Sequence, residues 1–474
     1  MKRRLLITSL MLMVSVLIAA QCGAAVPHPT QAPHRDEPAA IGDNEESNEN
    51  RKEPVAEAGS DMDDTQADSE AEAVTKSRET EVRDESAVPG INPACDDPFA
   101  DVGVNDLRFT PNVWTADQIA RYTGEAIIDP NSSLVTNFCL HNVDYREILS
   151  GGPPPDGIPP IDNPTFDTIA GGDTWLSDNH PVIALVVGDE ARAYPLGILT
   201  RHEIANDTIA EIPVAVTFCP LCNAGIVFHR EVDGKVLRFG VSGNLRNSDL
   251  IMWDNKTLSW WQQFTGQAIV GEMLGTQLEI IPAQMVAWKD FKAAYPEGIV
   301  LSSEGRNVDV NPYTGYDSST QPFLFRDTSG QPATPDPRLP ALERVLGYAS
   351  NGTAVAYPLS TVAERGVIAD MIDGQEVVVF YQPGAASALD GSVISESREV
   401  GSVGMFRPRV EGERLTFNID NGRIADNETG SEWDIFGTAV AGELAGAQLE
   451  PVVSHTHFWF AWAAFRPDTM VYGR

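Results

Sequence analysis

The sequence predicts a strand-rich α+β protein in which one domain is present twice, and three observations carry that prediction. Short apolar runs of strand length recur from about His180: "PVIALVVG", "PVAVTF", "AGIVFHR" and "KVLRFGV". "MVAWKDFKAAYP" instead has the apolar spacing of a helix. The second half then repeats the first. "ARAYPLGILTRHEIANDTIAEIPVAVTFCPLC" aligns without gaps to "AVAYPLSTVAERGVIADMIDGQEVVVFYQPGA", so that Tyr194-Pro195-Leu196 falls on Tyr357-Pro358-Leu359. "WDNKTLSWW" matches "ADNETGSEW", "GQAIVGEMLGTQLE" matches "GTAVAGELAGAQLE", and Trp288 falls on Trp459. A period of about 165 to 170 residues is too long for a solenoid repeat and reads as a tandem domain duplication.

Taken in chain order, residues 1–22, "MKRRLLITSLMLMVSVLIAAQC", read as an export signal. Lys2, Arg3 and Arg4 precede an apolar run too short for a comfortable membrane span. The run ends at Cys22 in a context similar to a bacterial lipobox, although Gln21 departs from the usual small residue. The expectation is lipidation of Cys22, which places the protein in the cell envelope on the outer side of the cytoplasmic membrane. Plain secretion or an uncleaved anchor is the alternative. Residues 23–90 hold 18 acids against 6 Lys or Arg and almost no aromatic residue, the composition of a disordered acidic linker. Such a coil reaches roughly 45 Å, enough to hold a domain off a membrane.

Residues 91–179 form a lead-in to the folded region, with an obligatory loop at "SGGPPPDGIPPIDNPTF". Outside the cytoplasm Cys95 and Cys139 could pair as a disulfide. Residues 180–300 are the first copy, 301–343 a connecting region and 344–474 the second copy. The formal net charge of -35 argues against nucleic acid and against binding to anionic lipid through surface charge.

The duplication acts as an internal control. The Tyr-Pro-Leu turn, Asp254 with Asp426, Thr257 with Thr429 and Trp261 with Trp433 are retained, as the fold would require. Residues found in one copy only are the candidates for chemistry. Cys219 falls on Gln382, Cys222 on Ala385, His202 on Arg365 and Glu203 on Gly366, so the second copy reads as degenerate.

"AYPLGILTRHEIAND", "TFCPLCNAGIVF", "FGVSGNLRNSDLIMWD" and "WWQQFTGQAIVGEMLG" closely resemble the bacterial proteins grouped as domain of unknown function family 3179. The resemblance is strong over about Asp156 to Gly298 and weaker over Arg344 to Arg474. It implies relatives with selenocysteine in the cysteine motif, a substitution that suits nucleophilic or redox chemistry better than core packing.

Three readings of the site stay open. In the first, Cys219 and Cys222 are the attacking and resolving thiols of an oxidoreductase, with His202 and Glu203 as catalytic companions and a redox partner protein. A helical turn at Pro220 would supply N–H groups to a thiolate. The strand-like sequence after Cys222 nevertheless disfavours a thioredoxin fold. In the second, Cys219, Cys222 and His202 bind zinc or copper for catalysis or metal handling, with an open position for a small-molecule substrate. In the third, the cysteines form a permanent disulfide in a non-enzymatic surface module. Trp260, Gln262 and Arg246 are weak pocket candidates. His455 and His457 alternate on a strand and matter only if they face the first copy. No nucleotide loop, nucleophile elbow or His-Glu-x-x-His is present.

Overall fold

The strand runs seen in the sequence become short antiparallel hairpins. β1 (Pro181–Val187) pairs with β2 (Glu190–Pro195), and the reversal at Gly188 uses a left-handed φ of 58° that glycine adopts without steric cost. The structure, a computed structural model, describes residues 134–474 and, before them, residue 95 and residues 97–103, 106–111 and 113–114. The expected signal, Cys22 and the linker at 23–90 lie outside the described residues.

Pro195 holds an extended conformation at the end of β2 and launches α1 (Leu196–His202). β3 (Ile204–Ile209), β4 (Ile212–Cys219) and β5 (Ala224–His229) then form an antiparallel meander. β6 (Phe239–Arg246) and β7 (Asp249–Asp254) open a further sheet with the strands Trp260–Gln262 and Gln267–Val270. β8 (Ala283–Ala287) returns to pair with β1 and leads into α2 (Trp288–Ala294). The first half is therefore three small sheets, a two-stranded ribbon (Glu231–Val232 with Lys235–Val236) and two short helices, a strand-rich α+β arrangement.

The same order follows in the second half. β9 (Arg344–Ser350), β10 (Thr353–Pro358), α3 (Leu359–Arg365), β11 (Val367–Ile372) and β12 (Gln375–Gln382) run as β1 to β4 do. β13 (Ser402–Arg407) pairs with β12 as β5 pairs with β4. β14 (His455–Phe458) pairs with β9 and leads into α4 (Trp459–Phe465), as β8 leads into α2.

The residues common to both halves perform matching tasks. Tyr194 donates its hydroxyl to Asp207 at 2.6 Å, and Tyr357 donates to Asp370 at 2.8 Å. Trp261 Nε1 donates to Asp254 at 2.9 Å, and Trp433 Nε1 donates to Asp426 at 2.9 Å. In each half the same aspartate also caps the backbone N–H of Thr257 or Thr429. These are internal clasps that satisfy buried polar groups.

The lead-in packs against the sheet of β6 and β7 through a separate apolar cluster. Cys95 and Cys139 are joined there by a disulfide. Trp260 belongs to that cluster, edge-on to Phe109 at 5.5 Å and Phe138 at 5.2 Å. It is fully buried core, not the wall of a pocket, because the lead-in covers the face it occupies.

Candidate functional site

Cys219 is the last residue of β4, and its register partner is Ala224 at the start of β5. Pro220 to Asn223 are thus the turn of a hairpin, and Asn223 takes a left-handed φ of 49° to close it. The helical turn expected at Pro220 does not form, so no helix N-terminus faces the thiols. The chain must reverse there because β5 pairs back along β4.

A second hairpin delivers the third group. Arg246 pairs with Asp249, leaving Asn247 and Ser248 as a two-residue turn with φ of 53° and 67°. Its Ser248 carbonyl accepts from both thiols, at 3.8 Å from Cys219 Sγ and 3.5 Å from Cys222 Sγ. Asp249 follows immediately. Cys219 Sγ, Cys222 Sγ and an Asp249 carboxylate oxygen all lie within 4.8 Å of one another. Exposure is 2% at Cys219 and 0% at Cys222 and Asp249, so bulk water does not reach the cluster. Both cysteines are free thiols.

Nitrogen donors hold Asp249 from one side only. Its Oδ2 accepts from Gln262 Nε2 at 2.6 Å and from the Phe264 N–H at 2.9 Å, whereas Oδ1 meets no nitrogen or hydroxyl donor, and the Cys219 and Cys222 thiols are the remaining donors to the carboxyl. Gln262, a weak pocket candidate in the sequence, therefore orients a carboxylate. Burial pushes the Asp249 carboxyl up to about 7. Burial, then the neighbouring Asp249, pushes Glu203 up to about 8. Burial also raises both thiols, Cys222 the further of the two.

Glu203 reaches this environment at a conformational cost. It ends α1 with φ of 58°, a left-handed conformation, while the residue ending α3 is Gly366 at 69°. A non-glycine residue there costs of order 1 kcal/mol, which the second half avoids.

His202 is not among the groups around the thiols. Its Nδ1 bonds the Pro159 carbonyl at 2.7 Å, and it borders a cavity of about 280 Å³ with Arg201, Arg306 and Asn307. The helix end separates it from Glu203, and Asp249 takes the third position that the sequence assigned to His202. Arg246 is likewise engaged elsewhere, 2.6 Å from Glu147 and 5.6 Å over the Phe465 ring.

The connecting region supplies two tyrosines that sequence reasoning missed. Tyr316 donates to the Leu221 carbonyl inside the cysteine turn at 2.8 Å. Burial, with Cys222 nearby, keeps its hydroxyl protonated. Tyr313 is held protonated by burial and by the adjacent Glu203 and Cys219. Asp317 anchors this region to the second half through Arg344 at 2.8 Å and Ser387 at 2.6 Å. The strand β14 also touches the site: the Phe458 N–H donates to the Cys222 carbonyl, and His457 packs on Phe264 at 4.4 Å. Neither His455 nor His457 joins the thiol cluster.

Glu203 and Asp249 keep their protons to a higher pH in the folded chain than in the unfolded one. In metal-free protein the contribution of these two groups is complete below about 3.8 and is lost as pH rises toward 8. Glu203→Gln should remove its share, on the order of 3–5 kcal/mol, flattening the pH dependence of the denaturant midpoint. An unchanged slope in that variant would show that Glu203 is ionised in the fold.

Residues 155–469, most of the chain, match the family described as Protein of unknown function (DUF3179). No curated protein and no solved structure matches the chain. The motifs around Cys219, Cys222 and Asp249 all fall inside the matched span, and the chain belongs to this family.

Proposed function

We propose that the first half binds one thiophilic divalent cation, zinc by its donor set, through Cys219, Cys222 and Asp249, as the centre of a metal-dependent activity. One observation carries the reading: two sulfurs and a carboxylate oxygen converge within 4.8 Å in a dry interior, with no nitrogen or hydroxyl donor to Asp249 Oδ1. A buried carboxylate oxygen without such a donor is costly, and a cation bound there would satisfy it. Thiolate with carboxylate suits zinc, and three protein ligands leave a fourth coordination position, which here is enclosed by protein and must open to admit water or substrate. Bound zinc would supply Lewis acidity and lower the pKa of a coordinated water. Glu203 is placed to hold or move a proton beside that position, and Gln262 fixes the Asp249 carboxylate as an outer partner.

A dithiol oxidoreductase is supported less well. An attacking thiol must be reached by its partner, and neither sulfur is accessible. The turn also lacks the helix N-terminus that lowers thiol pKa values in such enzymes.

The matching order of elements, and the paired Tyr–Asp and Trp–Asp clasps, support a tandem duplication in which the second copy has lost the site. Export with lipidation at Cys22 rests on the N-terminal sequence alone. Cys22→Ala should abolish labelling by a palmitate analogue and release the protein from membranes; equal labelling of the variant would refute the anchor.

Protein made in an oxidising compartment without chelator is expected to hold about one zinc per chain. Asp249→Asn and Cys219→Ser should lower zinc affinity at least roughly tenfold, while His202→Ala should leave it unchanged. Metal-free protein whose two thiols appear only after mild reduction would establish the disulfide chemistry instead.

A further inference from the structure

A second cavity, of about 390 Å³, opens between the two halves, and no residue of the thiol site lines it. The first half contributes Ala184 from β1, Gly225 from β5 and Met285 from β8. The second contributes Val403 from β13 and Thr456 from β14, with His455 beside it.

The lining has a definite chemistry. It contains no Lys, Arg, Asp or Glu, so a charged ligand would lose its hydration with no opposite charge in return. Methionine, phenylalanine and aliphatic side chains form most of the wall, with Gln284, Tyr295, Gln448, Ser454 and Thr456 as uncharged polar groups, and the volume lies within the usual range of small-molecule sites. His455 borders the space but is only 8% exposed, and its unpartnered Nε2 is enclosed by protein. Burial keeps this imidazole neutral, with its pKa lowered to about 4, so it adds no charge to the lining.

The geometry points to a binding site, shared by both halves, for an uncharged and largely apolar small molecule. The site is independent of the metal reading. It also gives the half without cysteines a direct part in binding, since each half alone supplies only one wall.

The test uses the full chain and N-phenyl-1-naphthylamine, an uncharged apolar fluorophore with a single N–H. Fluorescence enhancement should saturate at one probe per chain. Ser454→Trp from the second half and Ala283→Phe from the first, both half-buried in the lining, should each weaken binding at least roughly tenfold. The sulfonated analogue 1-anilinonaphthalene-8-sulfonate should bind at least roughly tenfold more weakly than the neutral probe. Thermal midpoint and metal content serve as controls, because neither substitution touches the thiol cluster. Enhancement that never saturates, wild-type affinity in both folded variants, or equal binding of the sulfonate would overturn the proposal.

Discussion

Around the Asp249 carboxylate the first half gathers its most demanding interactions. The group is fully buried, carries one oxygen without a nitrogen or hydroxyl donor, and sits against two thiols that are themselves buried. Left ionised and uncompensated it would oppose folding, so its surroundings keep it protonated or await a cation. Several elements exist to hold that arrangement. The Asn247–Ser248 turn presents the carboxylate, Gln262 and the Phe264 N–H fix one oxygen, and the Cys219–Ala224 hairpin brings the sulfurs to the other. Tyr316 secures the cysteine turn from above, and Asp317 secures the segment that carries Tyr316.

The comparison of the two halves shows where conformational cost accompanies chemistry. Both halves keep the tyrosine and tryptophan clasps, which stabilise the sheets wherever they occur. Only the first half bends a glutamate into the left-handed region where the second uses Gly366. Glu203, Asn223 and Ser248 adjoin the thiols with φ of 58°, 49° and 67°, values in the range that hairpin-turn residues such as Asp373 and Asn421 adopt elsewhere in the chain. The second half, relieved of these residues, still closes the site from outside through Phe458 and His457.

Much of this was legible in the sequence because it was local. Alternating apolar runs marked the hairpins, and the alignment of Cys219 with Gln382 and Glu203 with Gly366 singled out two residues that the fold brings near Asp249. The same filter held an unused signal: at the spacing that matches Asp254 with Asp426, Asp249 falls on Asn421. Asp249 is the first residue after a turn, and its side chain is buried in the dry interior. His202 lies outside the thiol cluster for the complementary reason. Adjacent residues at a helix end diverge by backbone geometry, which composition does not encode. Tyr313 and Tyr316 come from a connecting region with no periodic pattern, and only tertiary anchoring through Asp317 brings them over the cysteines. Trp260 differed between the halves because it packs against a lead-in present only before the first half.

The central claim is that two sulfurs and one carboxylate bind a single metal ion. X-ray absorption at the zinc edge of the purified full chain tests it most directly. The account predicts two sulfur scatterers at about 2.3 Å and lighter oxygen scatterers at about 2.0–2.2 Å, with no imidazole signature. In Asp249→Asn the lighter shell should lose a scatterer or the metal should be lost. A shell of histidine nitrogens without sulfur would contradict it, since the ion would then sit away from Cys219 and Cys222.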